Sequence, residues 1–489
     1  MKEKSLKINF IYNFMYQLLA IMVPLITSPY LARVLGAENI GISSWTSSVV
    51  FYFGIFITLG IDNYGSREIA YVRYSKERLT RRFWSIYFCQ LINFMVVLIL
   101  YLMYAIFIAK NYRIILIVLV FSIITKGLDI AWFFSGMEEF KVTVVRNTIV
   151  KLITLICVFT FVKNENDLWK YVLINSLGSL IGQITLWPNI KRYVDFYIPS
   201  TKEIVKHIKP LWILFVPVLA ISVFTYMDKY MIGVLSNVTE NGYYENADKI
   251  ISVPKAFITT IGTVMLPRTA HLIATNQKEK GKYYIEVSML FTMIMSSALA
   301  FGMAAVSDVF SVVFWGKSFA ECGVLIKWLS PAIIFSVIGS VIRSQYLIPY
   351  ARDKEYTISL IAGAVINFII NLILIPLLGS LGAVIGTLCS EILLMSIQLF
   401  YVRKELPLKK YIKNGWIFLI FGIIMYISIN IVKQKLDTSL KSLIVLILFG
   451  ISIYFVLFII YIIKTKNNIV KVMKNDILAK IRSGKNSGN

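Results

Sequence analysis

Histidine is nearly missing from this chain: His207 and His271 are the only two among 489 residues. A histidine-based metal centre therefore has almost nothing to build on. Cysteine is scarce as well. Cys89, Cys157, Cys322 and Cys389 each lie in or at the edge of an apolar run, without metal-ligand spacing and without a paired framework. Charged residues make up 16%, against about 25% in an ordinary soluble domain. Long polar connections are also lacking. The longest runs over about residues 191–209, too short for a soluble catalytic domain. The first apolar run is too long, and too poor in small residues at its end, to be a cleavable signal peptide.

What fills the chain is apolar. Hydrophobic residues reach 58% and the mean hydropathy is +0.73. They come in runs of about 20, enough to cross a hydrocarbon core of ~30 Å as helix. The pattern predicts an all-α polytopic membrane protein of about fourteen transmembrane helices. They are expected at 9–34, 39–62, 83–108, 113–136, 142–162, 168–190, 210–235, 243–267, 284–307, 322–346, 355–377, 382–402, 411–432 and 442–464. Breakers such as Gly36, Gly316 and the pair Gly379/Gly382 separate them. The expected organisation is an N-terminal lobe at 1–200, a C-terminal lobe at 201–405, two added helices at 406–464 and a basic tail at 465–489.

The net charge of +24 would suggest nucleic acid in a soluble protein. Here its distribution gives a different meaning. With the N-terminus placed inside, 35 basic residues fall on inner segments and 9 on outer ones, counting span ends with the adjoining segment; six lie within spans. Cytoplasmic segments collect Lys and Arg. Both termini are thus expected in the cytoplasm, and the chain in the cytoplasmic membrane, with no nucleic-acid partner. The tail carries Lys466, Lys471, Lys474, Lys480, Arg482 and Lys485 and reads as a solvated inner segment.

An internal repeat is visible. Tyr30-Leu31-Ala32-Arg33-Val34-Leu35 aligns with Tyr230-Met231-Ile232-Gly233-Val234-Leu235. Ala37-Glu38-Asn39-Ile40-Gly41 aligns with Val238-Thr239-Glu240-Asn241-Gly242, now 201 residues on, and Arg67 meets Arg268 at the same spacing. Six spans separate the copies, so both point the same way. Such a parallel repeat predicts two six-helix lobes related by a pseudo-twofold axis along the membrane normal.

Charges within spans are costly and mark functional candidates. Asp228 and Lys229 are adjacent, and neighbours one residue apart do not face each other on a helix. At least one is therefore expected to look into a cavity. Arg33 is the matching charge of the first lobe. Lys255 is the deepest cation of its helix, with Asp248 as the expected partner. Lys126 and Asp129 have the spacing of a self-satisfied pair, and Lys151 has no local acid. Glu391 shares its span with no base and is a candidate for ion coupling. Asn367 and Asn371 share a helix face and read as helix-to-helix contacts. Arg67 and Arg268 occupy matching places at the inner ends of their helices, where a guanidinium fork could bind a pyrophosphate bidentately. Taken together, Arg33, Arg67, Lys126, Lys151, Asp228, Lys229, Lys255 and Arg268 predict a cation-rich path for an anionic passenger. Tyrosine and tryptophan in such a cavity would suit stacking on sugars. No cofactor and no metal is expected.

Several stretches resemble the Wzx-type oligosaccharide flippases, the polysaccharide transporters of the multidrug/oligosaccharidyl-lipid/polysaccharide exporter superfamily. They are Pro29–Gly36, the run Gly60-Ile61-Asp62-Asn63-Tyr64-Gly65-Ser66-Arg67-Glu68-Ile69-Ala70, Asp228–Gly233, Gly242-Tyr243-Tyr244 and Met265–Arg268. The resemblance implies translocation of an undecaprenyl-pyrophosphate-linked oligosaccharide repeat unit from the cytoplasmic to the outer leaflet by alternating access. It further implies a lipid-linked oligosaccharide substrate, contact with membrane lipids, and a polysaccharide polymerase and glycosyltransferases as partners. Two other readings compete. A multidrug or cation antiporter of the same superfamily would need an acid-lined cavity, which the lysines oppose. A membrane-embedded polymerase or ligase would need a larger outer loop.

Overall fold

The computed structural model describes residues 6–465; the basic tail from Lys466 onward lies outside the described residues. Helices account for almost all of it, and there is no strand among the described residues. In a bilayer interior every backbone N–H and C=O must be met by the protein itself, which helices do within one segment. The chain is a multi-pass membrane protein: ten helices are long and apolar enough to cross a bilayer, or up to 12 if two bent pairs each count as one span.

The expected number of fourteen is not reproduced by that count, for two local reasons. The first two expected spans follow one another without a loop in α1 (Leu6–Thr58), as two helical segments that meet at the expected breaker Gly36, where φ 77° and ψ 172° are not helical, and together they count once. Only glycine adopts such a conformation without a Cβ penalty. The span expected at 168–190 is a helix of 17 residues, Leu168–Ile184, followed by a separate turn at Trp187–Ile190.

The chain divides into two compact units, Met1–Asn246 with Asn371–Ser380, and Ala247–Ile370 with Leu381–Asn489. The first unit begins with α1, α2 (Ile61–Val72) and α3 (Lys76–Met103), which ends in a π-helical turn at Tyr104–Ile108. Shorter pieces follow, α4 (Arg113–Val118), α5 (Val120–Gly127) and α6 (Ala131–Gly136), with a 45° bend between them. Next come α7 (Phe140–Phe161), α8 (Leu168–Ile184), α9 (Trp187–Ile190) and α10 (Thr201–Ser222). Ser200 and Glu203 form a capping box at the start of α10, with the Ser200 N–H donating to Glu203 at 2.8 Å; it satisfies donors that the first turn leaves open. A second π-helical turn, Val223–Met227, leads into α11 (Asp228–Leu235), and α12 (Val238–Ala274) begins within this unit.

The second unit holds the rest of α12, then α13 (Lys278–Trp315), α14 (Ala320–Leu329), α15 (Pro331–Ile342), most of α16 (Asp353–Leu378) and α17 (Ser380–Val402), and finally α18 (Leu408–Lys433) and α19 (Leu440–Lys464). Charge fixes the register of α13 on α18 at both ends. Buried Glu286 accepts from Lys410 at 2.7 Å and from Asn414 at 2.9 Å, while Asp308 meets Lys433 at 2.7 Å. Between these pairs the contact is mostly apolar, through Leu290, Ile294, Phe418, Phe421 and Met425, with buried Ser297 donating to the Phe418 carbonyl.

In the first unit the repeat becomes physical. A Cβ added to Gly41 would lie 1.6 Å from the Val238 carbonyl oxygen, and one added to Gly242 would lie 2.0 Å from the Ala37 carbonyl oxygen. Residues 37 and 41 correspond to 238 and 242 at the spacing of 201, so the contact is reciprocal, as a twofold relation requires. Asn241 reinforces it by donating to the Gly41 carbonyl at 3.1 Å. We expect Gly41→Ala or Gly242→Ala to destabilise the protein by about 1–3 kcal/mol through overpacking, read as a lower melting temperature of the purified protein. Gly281→Ala is the control, because a Cβ there meets nothing within 4 Å.

Candidate functional site

The most concentrated polar structure lies in the first unit, where α11 and the start of α12 pack beside α1 and the end of α16. Asp228 is 5% exposed. One of its carboxylate oxygens accepts from the Tyr244 hydroxyl at 2.5 Å, the other from the Asn371 amide at 2.6 Å. Lys229 turns to a different partner, Glu245, with Nζ and Oε2 2.8 Å apart and both side chains largely buried. Glu245 also accepts from Ser44 at 3.0 Å, and Ser28 donates to Asn246 at 3.2 Å. Two adjacent residues of α11 are thus matched by two adjacent residues of α12. The short link between these helices brings them side by side, so each neighbour on one helix finds a different neighbour on the other.

Sequence reasoning singled out Asp228 and Lys229 and foresaw that they do not neutralise one another. It missed Glu245, whose position opposite Lys229 depends on the turn at 236–237, and it gave Asn371 to helix packing. The repeat held a usable signal: Ser44 and Glu245 are 201 residues apart, and positions near a twofold axis face their own copies.

In the second unit, besides the pairs that join α13 to α18, a further ion pair involves two of the residues singled out in the sequence. Lys255 Nζ lies 3.1 Å from Glu391 Oε1, the side chains being 21% and 13% exposed. This corrects two expectations. Glu391 has a base beside it, and the partner of Lys255 comes from α17, not from Asp248 on its own helix. A separation of 136 residues leaves no local trace in the sequence. The expected pair of Lys126 with Asp129 does not form either. Asp129 caps the Ala131 N–H at 2.9 Å, while the aliphatic stem of Lys126 crosses Gly54 of α1. Lys151 is half-buried on α7, and Arg33 is exposed on α1 just before Gly36.

Arg67 and Arg268, matched by the repeat, are both exposed, and both guanidinium groups lie over tyrosine. Arg67 sits 5.7 Å from the Tyr64 ring centroid, and Arg268 sits 4.2 Å from that of Tyr284 while donating to its hydroxyl. Tyr64 itself is buried and bonds to His207 at 2.6 Å. A guanidinium held over a ring still offers N–H groups at its edge to an anion, although one N–H of Arg268 is already engaged by Tyr284. The sequence-selected residues therefore form separate constellations: Asp228 with Lys229, Lys255 with Glu391, and the two arginine–tyrosine pairs.

A family model described as polysaccharide biosynthesis protein matches residues 6–273, more than half of the chain. The chain belongs to this family. Among relatives, a protein named "Putative O-antigen transporter" in Escherichia coli (strain K12) is 22% identical over 405 residues, covering 82% of this chain and 97% of that protein. A protein of the same name in Shigella dysenteriae is 25% identical over 391 residues, covering 78% and 96%. Among solved structures, "Lipid II flippase MurJ, inward closed conformation" superposes with a TM-score of 0.75 at 17% identity, over 93% of this chain and 98% of that one. The family member described here therefore has the MurJ fold.

Removing one partner from a buried ion pair leaves an uncompensated charge, at a cost of about 3–5 kcal/mol. We expect Lys229→Met and Glu245→Gln each to lower the melting temperature of the purified protein sharply. The double variant should recover a large part of the loss. A double variant as unstable as the sum of the singles would show that the two side chains do not depend on each other.

Proposed function

We propose that this protein is a flippase that carries an undecaprenyl-pyrophosphate-linked oligosaccharide repeat unit from the cytoplasmic to the outer leaflet of the cell membrane, for the assembly of a surface polysaccharide. The observation that carries this reading is the near full-length likeness to two proteins named as O-antigen transporters. The family description and a fold in common with a lipid II flippase support it. The protein acts as a transporter and not as an enzyme. Fourteen spans with both termini in the cytoplasm, lobes at 1–200 and 201–405, and added helices at 406–464 make up its organisation. Alternating access arises from rocking of the lobes.

In this mechanism Arg67 and Arg268 capture the pyrophosphate at the cytoplasmic mouth. Each guanidinium is already desolvated on one face by tyrosine, so a bidentate bond to phosphate costs little further ordering. Lys126, Lys151, Lys229, Lys255 and Arg33 then offer positive charge along the path, with Asp228 ordering the helix that carries Lys229. The Lys255–Glu391 pair is the ion-coupling element. An anion drawn to Lys255 competes with Glu391, so the substrate binds differently to the paired and the separated states. A ligand-driven switch needs that difference in affinity. A polysaccharide polymerase and glycosyltransferases supply and consume the lipid-linked glycan.

The direct test is reconstitution. Proteoliposomes containing the purified protein should move lipid-linked oligosaccharide between leaflets, scored by access of a membrane-impermeant glycan-oxidising reagent; protein-free vesicles set the background. Movement no faster than background would end this reading. Arg67→Lys and Arg268→Lys should each slow transport by roughly tenfold, the equivalent of about 1.4 kcal/mol lost when a bidentate fork becomes a point charge. Normal rates in both, and in the double variant, would assign the arginines to topology. Glu391→Gln should reduce transport while leaving membrane levels unchanged. A reporter fused after Asn489 should be active only on the cytoplasmic side.

A further inference from the structure

Beside the ionic core of the first unit lies a cavity of about 360 Å³ lined by Val49, Tyr52, Phe53, Tyr104, Met227 and Tyr230. Four of these six side chains are aromatic, and three are tyrosines. Two other cavities among the described residues are built differently. One of about 540 Å³ in the second unit is walled mainly by Ile, Met, Leu, Val and Ala, and one of about 450 Å³ in the first unit, which shares Phe53, adds Phe56 and Trp212 to five aliphatic side chains and holds no tyrosine. Aliphatic walls suit acyl or prenyl chains. An aromatic box offers flat faces and hydroxyl donors, which match a ring with one face of C–H bonds and a rim of hydroxyls.

The rings are set at angles, as walls need to be. Tyr52 and Tyr230 meet at 74° with centroids 6.0 Å apart, and Phe53 and Tyr104 meet at 51° with centroids 5.6 Å apart. Behind them Phe51 and Tyr226 stack, interplanar angle 17°. All four lining aromatics are half-buried. The backbone is specialised at the same place. Tyr104 opens the π-helical turn Tyr104–Ile108, and Met227 closes the π-helical turn Val223–Met227. Such turns are rare and concentrate at functional sites. Two of them, on helices far apart in sequence, converge on one small cavity. Met227 and Tyr230 also bracket Asp228 and Lys229, and Lys229 Nζ lies 6.0 Å from the Tyr226 ring. The cavity therefore abuts the charged core.

We propose that this aromatic cavity is a saccharide subsite that receives a pyranose ring of the transported glycan, stacked on Tyr52 or Tyr230 and hydrogen-bonded by the Tyr104 and Tyr230 hydroxyls, the Tyr52 hydroxyl already donating to the Ser222 carbonyl at 3.5 Å. The proposal rests on the flippase reading and deepens it by saying which residues hold the sugar. A cavity of this size takes one or two rings and leaves the rest of the glycan outside. Selectivity would then lie in the sugar nearest the pocket, with the remainder of the repeat unit free to vary.

The test uses the full chain in proteoliposomes, with Cys89, Cys157, Cys322 and Cys389 replaced and Met227→Cys introduced. The rate of modification by a water-soluble maleimide is measured alone, with undecaprenyl pyrophosphate, and with lipid-linked oligosaccharide extracted from the host. We expect the glycosylated lipid to slow modification at least fivefold and the bare lipid to leave it unchanged. Equal slowing by both would assign the cavity to the prenyl chain and overturn the proposal. No modification at all, or no slowing by either, would also overturn it. Tyr52→Leu and Tyr230→Leu should each raise the glycolipid concentration needed for half-maximal protection roughly tenfold, and Tyr52→Phe and Tyr230→Phe should raise it much less, with melting temperatures near the parent's. Transport by the parent is scored in the same vesicles. Failure of transport with glycan-specific protection intact would defeat the flippase reading alone, whereas transport without such protection would defeat the subsite alone.

Discussion

A charge inside a bilayer has no water to turn to, and most of what is distinctive in this structure follows from that constraint. Each ionised group placed within the spans must be met by the protein at a cost that only a specific partner offsets. Asp228 is met by a tyrosine and an amide, Lys229 by Glu245, and Lys255 by Glu391. These partners tie helices together at defined heights. The same logic fastens α13 to α18 at two levels through Glu286 with Lys410 and Asp308 with Lys433. Apolar contact in a membrane brings little net drive, since lipid tails are as apolar as leucine. Register therefore depends on polar pairs and on close backbone approach far more than it would in water.

Close approach is the second device. At Gly41 and Gly242 the helices come so near that a methyl group would overlap a carbonyl. The contact sets α11 and α12 against α1, which in turn lets Ser44 reach Glu245 and Ser28 reach Asn246. The ionic core is thus held by glycine as much as by charge, because the pairs can form only at this separation.

The helical class and the membrane habit were legible in run length and composition, since about 20 apolar residues have few other uses. Several charged residues that the structure pairs within the spans, Asp228, Lys229, Lys255 and Glu391, were legible too, because charge in a span is expensive wherever it lies, whereas Glu245 was missed. Their pairing was not. Lys255 has Asp248 two turns away on its own helix, yet it reaches across to Glu391, a choice set by how α12 and α17 pack. Lys126 and Asp129 have ideal spacing, but the helix breaks at Leu128 and turns the carboxylate to the Ala131 N–H. The count by length stops at 12 for a similar reason: hydropathy sees the run at 168–190 and not the turn that splits it after Ile184. Asn371 shows the limit from the other side, because an amide on an apolar face looks the same whether its partner is another amide or a carboxylate.

The reciprocal contact has a consequence for how such a chain can change over time. In a dimer of two identical chains, a residue near the twofold axis faces its own copy, and a carboxylate there would face a carboxylate. Positions 44 and 245 are such a self-facing pair, 201 residues apart, yet one is serine and the other glutamate, joined by a hydrogen bond of 3.0 Å. Because both copies of the repeat lie in one chain, different residues can stand on the two sides of that axis. Once they are covalently joined, one copy is free to carry the charge and its lysine partner while the other supplies the donor. The repeat thereby holds an internal asymmetry at a pair of matched positions, where two identical residues would set like charge against like.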